Sequence, residues 1–62
     1  MEPITLKAAR VNKNLTLEDL SRITGISRPT LIKYESGKVS PKWENLKRII
    51  EVLGVNVDQL KL

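Results

Sequence analysis

Leu15-Thr16-Leu17-Glu18-Asp19-Leu20-Ser21-Arg22-Ile23-Thr24-Gly25-Ile26-Ser27-Arg28-Pro29-Thr30-Leu31 decides the fold, because it holds two helix starts separated by one helix stop. In the first start, Thr16 precedes a turn whose third residue is an acid, Asp19, and the apolar Leu15 and Leu20 flank that turn. This is a capping box with a hydrophobic staple: hydroxyl and carboxylate each satisfy an amide for which the helix provides no acceptor. In the second start Ser27 is the cap, Ile26 and Leu31 repeat the staple, and Pro29 is tolerated because first-turn amides have no intrahelical acceptor. Between them Gly25 supplies the left-handed residue that ends a helix. Only Gly25-Ile26-Ser27 separates the two helices, so they must cross sharply rather than lie antiparallel.

The same grammar extends outward. Asn14 can take the left-handed position after a first helix running from about Pro3 to Lys13. Gly37 stops the helix begun at Arg28, and Gly54 stops a fourth helix through Trp43 to Leu53. That fourth helix begins at Ser40-Pro41 or at Lys42, and the pattern leaves both open. Val55-Asn56-Val57-Asp58-Gln59-Leu60 is a third capped start, with Asn56 as cap, and predicts a fifth helix. No window alternates with a period of two and β-branched enrichment, so no strand is predicted. The expected architecture is all-α, five short helices forming a single domain over residues 1–62.

Composition limits what such a domain can do. The chain has 62 residues and neither Cys nor His. A chain this short buries only roughly 60% of its unfolded surface and usually leans on disulfides or metals. Both are excluded here, so no metal or cofactor is expected and the core must be apolar packing, mostly Leu, Ile and Val. Trp43 is expected at the edge of that core. Without His or Cys, acid–base and nucleophilic catalysis lose their commonest agents, and the scattered carboxylates form no pair; an enzyme is not expected. No secretory signal, membrane span or lipidation motif is present, so a soluble, cytoplasmic chain is expected.

The net charge of +4 favours an anionic partner, and its distribution is more telling than its size. Arg22, Arg28, Lys33, Lys38 and Lys42 stand against Glu35 alone in residues 22–42, while the rest of the chain is balanced. On a wheel of about 100° per residue with Arg28 at zero, Leu31 falls at about 300° and Tyr34 at about 240°, facing inward. Arg28, Ile32, Pro29 and Lys33 occupy the opposite arc, between about 0° and 140°. That face carries two cations and no acid. A helix entering the major groove needs such a face: Arg28 can bond guanine O6 and N7 bidentately, Lys33 reaches the same groove, and Pro29 and Ile32 offer apolar surface toward a thymine methyl. Ile32 is nonetheless read first as packing or tolerated exposure. Thr16 and Leu17 at the start of helix two, Thr30 in helix three, and Ser36, Lys38 and Lys42 beyond it are the phosphate candidates, which position without specifying.

The run Leu15-Thr16-x-x-x-Leu20-x-x-x-x-Gly25-Ile26-Ser27-Arg28-x-Thr30-Leu31-x-x-Tyr34-Glu35-x-Gly37-Lys38-x-x-Pro41, together with the closing Leu53-Gly54-Val55-Asn56-Val57-Asp58-Gln59-Leu60, resembles the phage repressor and Cro (XRE-type) helix-turn-helix family. The resemblance covers about Leu6 to Leu60, with the motif itself at about 16–35. It implies a lambda-repressor-like five-helix DNA-binding domain of a prokaryotic or phage-encoded, nucleoid-associated transcriptional regulator, most often a repressor. It further implies a weak homodimer, or a dimer formed on DNA, on a palindromic double-stranded operator. Base contacts are implied at Ser27, Arg28, Pro29 and Lys33, and an internal ion pair between Arg10 and Glu35. Two positions depart from the family pattern: Leu17 stands where many relatives carry Gln, and Ile32 where a small or polar residue is usual. The competing expectation is a protein-interaction module on the same fold, antitoxin-like or coactivator-like, for which the outer face of helix three would be dispensable.

Overall fold

The computed structural model describes residues 3–61 of the chain. Four helices carry it: α1 (Leu6–Asn12), α2 (Leu17–Thr24), α3 (Arg28–Glu35) and α4 (Trp43–Leu53). A single 3-10 turn (Val57–Gln59) follows, and two-residue strands, β1 (Ile4–Thr5) and β2 (Leu60–Lys61), join the two ends. The protein is of the all-α class, with the 3-10 turn in the place of the fifth helix.

The strands pair in parallel, Ile4 opposite Leu60 and Thr5 opposite Lys61. This corrects the expectation of no strand and of a first helix starting at Pro3. Pairing holds Ile4 and Thr5 extended, and Thr5 becomes the cap of α1, its Oγ1 accepting the Ala8 N–H at 3.1 Å. A two-residue pairing is too short to show alternation, and its halves lie at opposite ends of the chain, beyond any local window. The predicted fifth helix stops after one turn for the same reason. Leu60 is buried in the core and drawn into extended backbone beside Ile4.

The core is where the helices meet. Leu20 of α2, Leu31 of α3, and Ile49 and Leu53 of α4 are fully buried, joined by Leu6 and Ala9 of α1 and by Ile26. Each large side chain so buried contributes roughly 1.5–3 kcal/mol. α2 packs on both α3 and α4 and so serves as the hub. Trp43 departs from its expected place at the core edge: it is 59% exposed, and the buried seam of α4 begins at Leu46. Asn45, not Trp43, faces α3, donating from Nδ2 to the Tyr34 hydroxyl at 2.8 Å.

One guanidinium sets how α3 sits against the rest. Arg10 donates from Nε to Glu35 Oε2 at 2.7 Å, from Nη2 to Oε1 at 3.3 Å, and from Nη1 to the Leu15 carbonyl at 2.7 Å. The two side chains are only 10% and 8% exposed. Arg10 thereby ties α1 to the residue just ahead of the α2 cap and to the last residue of α3.

Candidate nucleic-acid interface

The turn between α2 and α3 is built by three residues. Gly25 adopts φ 75°, with its N–H on the Ser21 carbonyl at 2.8 Å. Nothing lies within 4 Å of where a Cβ would stand, so the left-handed backbone angle, rather than crowding, calls for glycine. Buried Thr24 braces the turn from inside: its Oγ1 donates to the Leu20 carbonyl at 2.7 Å and accepts the Ile26 N–H at 3.2 Å. Sequence reasoning passed over Thr24; a Thr directly before the helix-ending Gly, able to bond back to its own helix, was the available signal. Ile26 then anchors the turn in the core.

α3 leaves this turn with one side inward. Leu31 is fully buried, Tyr34 and Glu35 are half-buried, and Ser27, Arg28, Pro29, Ile32 and Lys33 are exposed. Ser27 and Thr30 hold each other: their hydroxyls are 2.8 Å apart, and Ser27 Oγ accepts the Thr30 N–H at 3.4 Å. Arg28 lines a shallow cleft with Asn14, Thr16, Leu17 and Glu18, which brings the first turn of α3 beside the start of α2. A second cleft is lined by Lys7, Leu17, Ile32 and Ser36, together with the Arg10–Glu35 pair.

The cationic character of this face comes from where its one acid goes. Glu35 turns back onto Arg10, so its charge is met inside the domain. Arg28 and Lys33 are exposed, and Lys38 and Lys42 continue the exposed cations past the end of α3. Arg22 lies 3.6 Å from Asp19, an exposed pair one turn apart on α2 that contributes little to stability.

The hydroxyl and amide groups differ in what they have left to offer an anion. Thr16 Oγ1 accepts the Asp19 N–H, and Asp19 Oδ2 accepts the Thr16 N–H, each at 3.0 Å. The Leu17 amide remains available as a donor, whereas the Thr16 hydroxyl is shared with the Asp19 carboxylate. Ser36 is committed: its Oγ donates to the Lys33 carbonyl at 3.1 Å and its N–H bonds the Ile32 carbonyl at 2.9 Å. Half-buried Thr30 is likewise engaged with Ser27. Lys42 is the cap residue of α4 without a side-chain capping bond, and its ammonium is exposed.

The bonds from Thr16, its amide first and its side chain second, hold the Asp19 carboxyl below its ordinary value of 3.8. A depressed carboxyl stabilises the fold above its unfolded value and loses that contribution as pH falls through the folded one. Thr16→Ala keeps the amide but loses the capping hydroxyl, and is expected to lower stability at neutral pH. It should also reduce the acid-side loss of stability, as urea titrations at pH 7 and below pH 3.8 would reveal.

With this geometry in view, the kinship can be read. A family model described as helix-turn-helix matches residues 6–60. The chain belongs to the helix-turn-helix family. The domain is 42% identical over 55 residues to the HTH-type transcriptional activator BcrR of Enterococcus faecalis, covering 89% of this chain and 27% of the activator. It is 38% identical to an uncharacterized HTH-type transcriptional regulator of Methanocaldococcus jannaschii, again covering 89% of this chain but 83% of that protein. With the cryptic phage CTXphi transcriptional repressor RstR of Vibrio cholerae it shares 29% identity, over half of the repressor's length. No solved structure matches the helix-turn-helix domain. Among the described residues no helix is long and apolar enough to cross a membrane, and no cluster of acidic residues is arranged to hold a metal ion.

Proposed function

We propose that this helix-turn-helix domain binds double-stranded DNA in a sequence-dependent way and regulates transcription as a repressor, with α3 lying in the major groove. One observation carries the reading: Arg28 and Lys33 both stand exposed on the outer face of α3, while Glu35, the only acid of that helix, is folded back onto Arg10. A helix face that presents two cations and no acid of its own, with Glu18 of α2 the acid bordering Arg28, suits a phosphate-lined groove. Ser27, Arg28, Pro29 and Lys33 are the base-contacting residues in this reading, with Arg28 the strongest because its fork matches guanine.

Phosphates are held by the Leu17 amide, by Lys38 and Lys42, and by Thr16 once its hydroxyl turns from the Asp19 carboxylate. Thr30 and Ser36 join only by exchanging the internal bonds they now make. Two copies bind a palindromic operator with their α3 helices about 34 Å apart along one face of the duplex. Repression follows from occupancy alone, whereas activation needs a further surface for the transcription machinery. The bacterial, archaeal and phage origins of the relatives support a cytoplasmic, nucleoid-associated setting in a prokaryote or its phage.

The test is selection from random duplexes at two salt concentrations, followed by titration of the selected site. A recurrent motif with salt-dependent affinity is the expected result; failure to enrich any sequence would sink the reading. Lys38→Ala is expected to weaken binding to all duplexes alike and to flatten the logarithmic salt slope by about one unit. A loss confined to the selected sequence would instead make Lys38 a base reader.

A further inference from the structure

We propose that Ile32 and Leu17 together form an apolar seat for the C5 methyl group of a thymine, so that site selection depends on that methyl. The proposal rests on the duplex-binding reading above. Ile32 lies about 40° around α3 from Arg28, inside the arc that ends at Lys33. It is 47% exposed, while the inward side of the helix is already filled by Leu31 at 0%. Leu17, the first residue of α2, lines the same cleft as Ile32, with Lys7, Ser36 and the Arg10–Glu35 pair beside them. The two apolar side chains therefore share one cleft, bordered by Lys7 and by the Arg10–Glu35 pair, whose charges meet each other.

The chemistry of the duplex picks the occupant. Of the groups that base pairs present in the major groove, only the thymine methyl is apolar; carbonyl, ring nitrogen and amino groups all require a hydrogen-bonding partner. Leu and Ile can supply none, so placing a polar edge against them costs free energy while a methyl gains it. Ser36 offers little in compensation, because its hydroxyl already donates to the Lys33 carbonyl. With Glu35 held on Arg10 and Lys7 at the rim, the seat distinguishes thymine from the other bases by hydrocarbon contact.

The experiment replaces thymine with deoxyuridine, one position at a time, in the duplex selected by the wild-type chain. This removes the methyl and leaves the pairing edge intact. We expect one thymine beneath α3 at which the replacement weakens wild-type binding about fourfold, the equivalent of one buried methyl group. Ile32→Ala should bind the thymine and deoxyuridine forms of that duplex equally. A scan that is flat for the wild-type chain overturns the proposal, as does a selected site with no thymine in the span α3 covers. So does an Ile32→Ala chain that keeps the full discrimination. The wild-type scan stands alone should that variant not fold. Absence of binding to any duplex overturns the DNA reading itself, and the seat with it.

Discussion

Replacing Arg10 with alanine is expected to lower stability by about 3–5 kcal/mol. The loss comes less from the attraction removed than from what is left behind. Glu35, with its side chain 8% exposed, would keep a buried carboxylate without a partner, and the Leu15 carbonyl would lose its donor at 2.7 Å. Folded domains are stable by only roughly 5–15 kcal/mol, and short chains fall at the low end, so one substitution approaches the whole margin. In a domain of this length each kcal/mol moves the melting temperature by about 4–8 °C, which places the variant well within reach of a circular-dichroism melt. The double variant Arg10→Met, Glu35→Leu should recover much of the loss, since apolar groups replace both charges and nothing buried stays unpaired. A single variant that melts with the parent protein would show the pair to be dispensable.

Arg28→Ala should cost about 1–3 kcal/mol on the selected duplex, roughly 5- to 150-fold in affinity, and relax the preference at one base pair. The side chain is exposed and makes no bond within the described domain that folding depends on, so the melting temperature should barely move. That separation distinguishes it from Arg10→Ala, which acts through the fold, and from Lys38→Ala, which weakens all duplexes alike. Repeating the selection with the Arg28→Ala chain checks the point: one position of the motif should lose its preference while the others persist. A uniform loss across sequences would move Arg28 from base reader to backbone contact.

Most of this arrangement was legible in the residues, and the parts that were not share a cause. Thr16 with Asp19, Ser27, and the left-handed Asn14, Gly25, Gly37 and Gly54 act over three or four residues, so a local pattern is enough to place the helix ends. The inward direction of Leu31 follows from helical periodicity in the same way. The pairing of Ile4 with Leu60 does not, since its halves are joined by nothing that a window of sequence can display. It displaced the expected start of α1 from Pro3 to Leu6. Trp43 was misplaced because an apolar residue one turn before Leu46 belongs to the core seam by spacing, but the packed surface ends before reaching it. At the interface, which side chains are exposed was readable; which hydroxyls are already in use was not. Ser36 and Thr30 look alike as donors on paper and are both occupied by neighbours in the fold.

The short parallel ladder between Ile4–Thr5 and Leu60–Lys61 works as a clasp on the chain. Each of the two strands supplies the other's backbone partners. The clasp sits beside Tyr34, Glu35 and Gly37, at the far end of α3 from Arg28. A fluorophore coupled to the exposed Lys61 side chain would accordingly sit at this corner, away from the first turn of α3.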